Sequence, residues 1–474
     1  MQKVAAFALL AVLFLSGCAL GPKYQRPSFQ PPATFYTEEQ SRQMSVADQA
    51  WWDLFKDPVL QNLIREALRN NYDLQLAVAQ VEQQSALLGV TRSQFYPQVA
   101  YDGNIAGQQS RVFPNHTYYS YSFTTFWEID LFGRIRKMTE AQRAVYFASE
   151  EARRDVRLLI MSEVAQGYFT LRALDAQLEI SHRTVKSFQD TLEIFQHRLE
   201  GGYASALETS RAQAALSNVA ATIPDLGRQI VAQENALDLL LGRNPGPIAR
   251  GAALIEQYDP PDVPAGLPAS LLERRPDLRE AEQNLIAANA NVGVAKANFF
   301  PTISLSGLFG GISPQLSELT GTGKAWSLAG DLAGPIFTGG RLKNQYRAAL
   351  AQRNQAKISF EKAVTQAFGE VSTSLSAHQQ LANAYREQVV SVDAYRESVR
   401  LSTTRYDSGL ASYLDVIDAQ IQMYPAESAT VNYDLGRKLA LVDLYRALGG
   451  GWNLSDSQWT SSSGTAAPTK NPSP

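Results

Sequence analysis

The chain is poor in the residues that most often carry chemistry. It has one cysteine, Cys18, in 474 residues, so no disulfide framework holds the fold. Its four histidines, His116, His182, His197 and His378, are scattered without acidic or cysteine partners at ligand spacing, so no metal site is expected. A net charge of −3 gives no bulk basic surface for nucleic acid. No segment offers about 18 consecutive apolar residues, so no helix is available to cross a membrane. Enzyme motifs are also missing. Gly321-Thr322-Gly323-Lys324 resembles the end of a phosphate-binding loop, but Glu318 and Ala325 stand where that loop needs Gly and Ser or Thr. Glu128 and Asp130 share one strand face without an acid–base partner. No catalytic residue and no cofactor is therefore expected.

What is present centres on Tyr119–Leu131, YSYSFTTFWEIDL. Side chains alternate faces along a strand. One face carries Tyr119, Tyr121, Phe123, Trp127, Ile129 and Leu131, and the other is polar apart from Phe126. Such a strand suits a soluble sandwich, and its aromatic load also suits lipid on one side and water on the other. At Gly133 the pattern changes to helix periodicity. About 65 proline-free residues follow, a helix of about 100 Å.

In chain order, Lys3 and the apolar run Val4 to Phe14 precede Leu15-Ser16-Gly17-Cys18. The run is too short to span a bilayer and fits a signal peptide over 1–17. Leu-Ser-Gly-Cys resembles the lipobox of bacterial lipoproteins, which implies cleavage before Cys18 and acylation of that residue. Several acyl chains anchor firmly where one is marginal. Ala19 rather than Asp implies, by the same resemblance, sorting to the outer membrane. Residues 18–50 read as an extended linker, and a first repeat spans 51–242. It holds short helices, a hairpin over 98–131 and long helices over 134–199 and 204–241, with Pro224 expected to kink or interrupt the second. A proline-rich linker covers 243–268. A second repeat spans 269–452, with a hairpin over 302–337 and helices over 341–407 and 413–448. Residues 453–474 read as a disordered tail.

The two repeats align on sequence. Phe95-Tyr96-Pro97 matches Phe299-Phe300-Pro301, and RLEGGYASAL from Arg198 matches RYDSGLASYL from Arg405. Each half reads helix, strand, strand, long helix, break, return helix. Four strands cannot close a membrane barrel, and an open edge does not survive in lipid. Two copies supply eight strands and three supply twelve. The polar inner face, with no plug segment, favours more than two.

The pattern resembles the TolC/OprM class of outer-membrane efflux factors, in particular the NodT-type lipoproteins that serve RND pumps. The carriers are the lipobox, Gly21-Pro-Lys-Tyr-Gln-Arg-Pro27, Trp52-Asp-Leu-Phe-Lys-Asp-Pro58, Trp127-Glu-Ile-Asp-Leu-Phe-Gly-Arg134, Leu272-Glu-Arg-Arg-Pro-Asp277 and Ala447-Leu-Gly-Gly-Gly-Trp452. The resemblance implies an α+β, mostly α, membrane protein. It implies a homotrimer with a shared twelve-stranded β-barrel in the outer membrane of a Gram-negative bacterium, and long helices forming a periplasmic α-barrel. It implies an exit duct that serves a periplasmic adaptor and an inner-membrane RND transporter. It further places closing rings at Leu414 and Asp418, one helical turn apart, and helix ties at Tyr406 and Asp175. The turns Gly202-Tyr203-Ala204-Ser205 and Gly409-Leu410-Ala411-Ser412 become adaptor contacts. Two rivals stay open: a lipid-anchored coiled-coil tether, and a duct for an ABC-type or heavy-metal pump.

Overall fold

The computed structural model describes residues 20–29, 45–108, 116–203, 205–258, 270–321 and 323–460. The expected signal peptide, Cys18, the middle of the first linker, Ala204 and the last fourteen residues of the expected tail lie outside them.

The helices, in order, are α1 (Trp51–Leu54), α2 (Pro58–Asn70), α3 (Tyr72–Ser93), α4 (Arg134–Glu200), α5 (Ala206–Ala220), α6 (Thr222–Leu240), α7 (Leu271–Arg274), α8 (Pro276–Ala297), α9 (Arg341–Asp407), α10 (Tyr413–Ala447) and α11 (Asp456–Thr460). The strands are β1 (Gln98–Gln108) and β2 (His116–Ile129) between α3 and α4, and β3 (Thr302–Ser313) and β4 (Lys324–Ala333) between α8 and α9. The duplication is plain in the lengths: α3 and α8 have 22 residues each, and α4 and α9 have 67 each.

The chain divides into two compact units. The first comprises Met1–Phe29, Val78–Ala152 and Asp277–Ala363. Its centre is an antiparallel sheet of order β1-β2-β3-β4. The register sets Tyr101 opposite Phe123, Phe123 opposite Phe309, and Phe309 opposite Trp326. Val99, Ile105, Tyr119, Trp127, Leu305, Leu328 and Leu332 fall on that same face. The opposite face carries Asp102, Ser122, Thr124, Ser304, Ser306 and Asp331, interrupted by Tyr118, Phe126, Leu308 and Ile312. Tyr101 is 84% exposed and Trp326 78%. A sheet that leaves its aromatic face uncovered has apolar surface to bury elsewhere. Strand β4 stops at Ala333, short of the expected hairpin end at 337, because Gly334 and Pro335 follow and proline has no ladder N–H to give. The junction into α4 is fixed by Asp130, whose carboxylate accepts from the backbone N–H of Ile135 (3.0 Å) and Arg136 (2.9 Å).

The second unit comprises Gln30–Ala77, Arg153–Pro276 and Val364–Pro474. Its core gathers Trp51, Leu60, Ile64, Tyr168 and Tyr445, all fully buried. Asp57 caps α2 ahead of Pro58, accepting from Val59 N–H at 2.8 Å. The same carboxylate accepts from the Tyr168 hydroxyl (2.8 Å), Gln257 Nε2 (2.7 Å) and Ala252 N–H (3.2 Å). That knot ties residues 251–257 of the proline-rich linker to α2 and α4.

The return helix of the first repeat is interrupted at Ala221, three residues before Pro224, as expected, whereas α10 runs unbroken through Pro425. Two other expectations change. Residues 45–49 of the first linker form a single helical turn, with a capping box between Ser45 and Asp48. Residues 456–460 of the expected disordered tail form α11. Its Asp456 is gripped by Arg153 and Arg157, each at 2.7 Å, and Trp459 is buried. The tail's polar composition hid one aromatic and one acid with partners about 300 residues away.

Candidate gate and helix tips

The site lies in the second unit, where α4 turns into α5 and α9 turns into α10. Both turns use the same backbone device. Gly202 (φ 73°) and Gly409 (φ 70°) take the left-handed conformation that ends a helix. Gly202 N–H donates to Leu199 O (3.1 Å) and Tyr203 N–H to Arg198 O (2.7 Å). In the second turn Gly409 N–H donates to Tyr406 O and Leu410 N–H to Arg405 O, both at 2.8 Å. The next helix then starts on a serine. Ser205 and Glu208 make a capping box for α5, and Ser412 Oγ accepts from Leu414 N–H at 3.2 Å for α10. Turns pinned this way expose their side chains: Tyr203 is 88% exposed and Leu410 72%.

Behind the tips the helices are joined by an aromatic cluster. Phe195 of α4, Tyr406 of α9 and Tyr413 of α10 stack edge to face, with centroids 4.9 Å and 4.6 Å apart. Tyr413 OH shares a hydrogen bond with Thr191 at 2.9 Å, and the Arg198 guanidinium lies 4.9 Å from the Tyr406 ring centre. Burial pushes the Tyr406 hydroxyl's pKa up, against the pull of Arg198. Leu192, Ala212, Val416 and Ile417 fill the space beneath. Sequence reasoning named Tyr406 and missed Arg198, Phe195 and Tyr413. It also missed Glu427, a buried carboxylate on α10 that reaches Arg183 of α4 (2.6 Å) and Arg396 of α9 (3.6 Å). Nothing in the local sequence marks Glu427 as a three-helix tie.

Leu414 and Asp418 lie one turn apart on α10, Leu414 half-buried and Asp418 exposed. The stripe continues through Ile421 and Pro425, and these four residues line one side of an open groove of about 750 Å³. Its other wall is Arg211, Ala214 and Asn218 of α5, over a floor of Phe188. The i+7 and i+11 spacing from Leu414 was the available signal for Ile421 and Pro425.

Asp175 is not part of this assembly. It lies 25 residues before the end of α4, about 37 Å along the helix axis. There it accepts from Arg172 (2.7 Å) and Arg250 (3.2 Å), while Arg250 also reaches Glu234. Arg172 in turn donates to Ala252 O at 3.1 Å. Burial opposes the Arg250 charge, and the two carboxylates outweigh it and raise that pKa. Within the chain Asp175 therefore fastens residues 250–252 to α4. Cys18 and Ala204 fall outside the described residues.

Comparison with known proteins agrees with this architecture. Residues 63–243 and 267–450 each match the family described as outer membrane efflux protein, one match per repeat. The solvent efflux pump outer membrane protein SrpC of Pseudomonas putida is 35% identical over 472 residues, covering 96% of this chain and 100% of its own length. SilC of Salmonella typhimurium, a probable outer membrane lipoprotein, is 32% identical over 95% of this chain and 100% of its own. The solved open state of the Neisseria gonorrhoeae MtrE outer membrane channel superposes with a TM-score of 0.85. It is 32% identical and covers 92% of this chain and 99% of that one.

Proposed function

The chain belongs to the outer membrane efflux protein family, and from that premise we propose that three copies assemble into one exit duct. The protein is an outer-membrane channel and a component of an efflux pump. In the proposed trimer, β4 of one copy pairs with β1 of the next. Twelve strands then close a barrel with the Tyr101–Phe123–Phe309–Trp326 face toward lipid and the serine-rich face toward water. The observation that carries this reading is the sheet itself. It has two edges without a partner strand among the described residues and one uncovered aromatic face. Neither is tolerable in a bilayer unless another copy closes the sheet.

The duct performs no chemistry of its own. Small molecules reach it from an inner-membrane transporter, with a periplasmic adaptor seated on the exposed tips around Gly202, Tyr203, Ala204 and Ser205 and around Gly409, Leu410, Ala411 and Ser412. Leu414 supplies an apolar constriction and Asp418 a ring of negative charge, while Tyr406 and its aromatic neighbours hold the helices that carry them. Cys18 carries the lipid. The relative SrpC is named for solvent efflux, which supports small organic cargo. Reconstitution into planar bilayers tests the reading: the purified protein should give discrete conductance steps, and a silent bilayer at high protein loading would overturn it.

A further inference from the structure

The stretch after Cys18 reads as a linker, yet residues 20–26 are held at several points within the first unit. Leu20 N–H donates to Phe132 O at 3.4 Å, where β2 gives way to α4. Asn289 Nδ2 of α8 donates to Pro22 O at 3.0 Å. Gly21, at φ 132°, lies so close to α8 that a Cβ on it would stand 2.6 Å from Gly293 Cα, and a Cβ on Gly293 would stand 2.8 Å from Leu20 O. Two glycines are needed for that approach. Further along, Tyr24 OH donates to Glu282 Oε1 (2.9 Å). The Arg26 guanidinium forks onto both oxygens of the same carboxylate, at 2.7 and 2.5 Å. A bidentate arginine–carboxylate pair fixes direction as well as distance. Glu282 is largely buried and Arg26 is 40% exposed.

We propose that Gly21–Arg26 is a docking clasp that registers the lipid-bearing terminus to the foot of the sheet, and that it closes without help from the lipid. The clasp rests on the duct reading only in taking Cys18 as the acylated residue. Covalent reach then limits the acylated residue to about 7 Å from Leu20. The acyl chains enter the membrane beside the strand-to-helix junction, one set per chain. The linker's nominal reach of about 100 Å over thirty residues is not available to them. Tyr24, Arg26 and Glu282 are positioning residues. They touch no cargo, and they set where the anchor meets the bilayer.

Acylation occupies the sulfur of Cys18, so Lys23→Cys introduces the one free thiol, on a side chain that is exposed in the clasp. A nitroxide there, read by electron paramagnetic resonance on the full-length particle, should be immobile. It should be equally immobile when Cys18→Ala is secreted behind an ordinary signal peptide. Arg26→Ala or Glu282→Ala should abolish the slow spectral component and leave fast nanosecond motion. Arg26→Ala alters the segment and not the body, so it reads the clasp even where Glu282→Ala disturbs folding. A label that becomes mobile in the non-acylated protein, or stays immobile in Arg26→Ala, would overturn the clasp. Channel conductance should be the same in parent and variants. Loss of conductance in the parent would count against the duct, while the spectra would still decide the clasp.

Discussion

At the scale of single residues, three groups carry testable consequences. Leu414 and Asp418 face one way on α10 with Ile421 and Pro425 in line below. Replacing both with alanine removes the proposed apolar ring and the charged ring together. Single-channel conductance should rise and cation preference should fall, and unchanged values for both would remove these residues from the gate. Tyr168 OH sits between Asp57 and Gly251, donating to the carboxylate and accepting from Gly251 N–H, each at 2.8 Å. Tyr168→Phe leaves that N–H and one carboxylate site without their partner, at a cost of about 1–3 kcal/mol. The thermal midpoint of the detergent-solubilised particle should drop. Glu282 supplies a pH dependence. Burial alone would raise its pKa, but the Arg26 fork and the Tyr24 hydroxyl outweigh burial and hold it below the ordinary glutamate value. A depressed carboxylate pKa stabilises the clasp above the ordinary value of about 4.3 and loses that contribution as pH falls through the folded value. The Lys23→Cys label should stay immobile at pH 5–8 and loosen only below about 4. Loosening already at pH 6 would contradict the assignment.

At the scale of elements, the repeat explains what could be read in advance. Period-two alternation identified the strand over Tyr119–Leu131 and its faces, and the repeat placed the second hairpin. It succeeded because a strand with one apolar and one polar side keeps the period legible. Gly202 in the first turn and the single Gly409 in the second placed both tips, since only glycine takes φ near +70° without strain. Gly409→Ala should destabilise its turn by about 1–2 kcal/mol, lowering the thermal midpoint, and Gly202→Ala should do the same because the two turns are built alike. A shift confined to one of the two would break the equivalence of the repeats. What could not be read were contacts that skip along or between elements. The resemblance named Asp175 as a helix tie, but nothing in the sequence showed that its partners within the chain are Arg172 and Arg250. The break at Ala221 and the passage through Pro425 show that two prolines at comparable sites need not act alike. The clasp was hidden because glycine, proline and polar residues read as linker. Its partners Glu282 and Asn289 lie more than 250 residues away. Glu427 carried no local sign at all.

At the scale of the molecule, one chain leaves its own sheet unclosed. A four-stranded sheet with an aromatic face demands partners, and the family supplies the setting in which those partners are further copies of the same chain. Eight strands would fill their own interior, whereas twelve leave room for water. The serine, threonine and aspartate of the inner face then border an aqueous path. The direct measurement is the mass of the detergent-solubilised particle with the detergent belt subtracted. A shared barrel requires three chains per particle. A folded single chain in mild detergent, with β1 and β4 left open, would contradict it and favour a lipid-anchored tether.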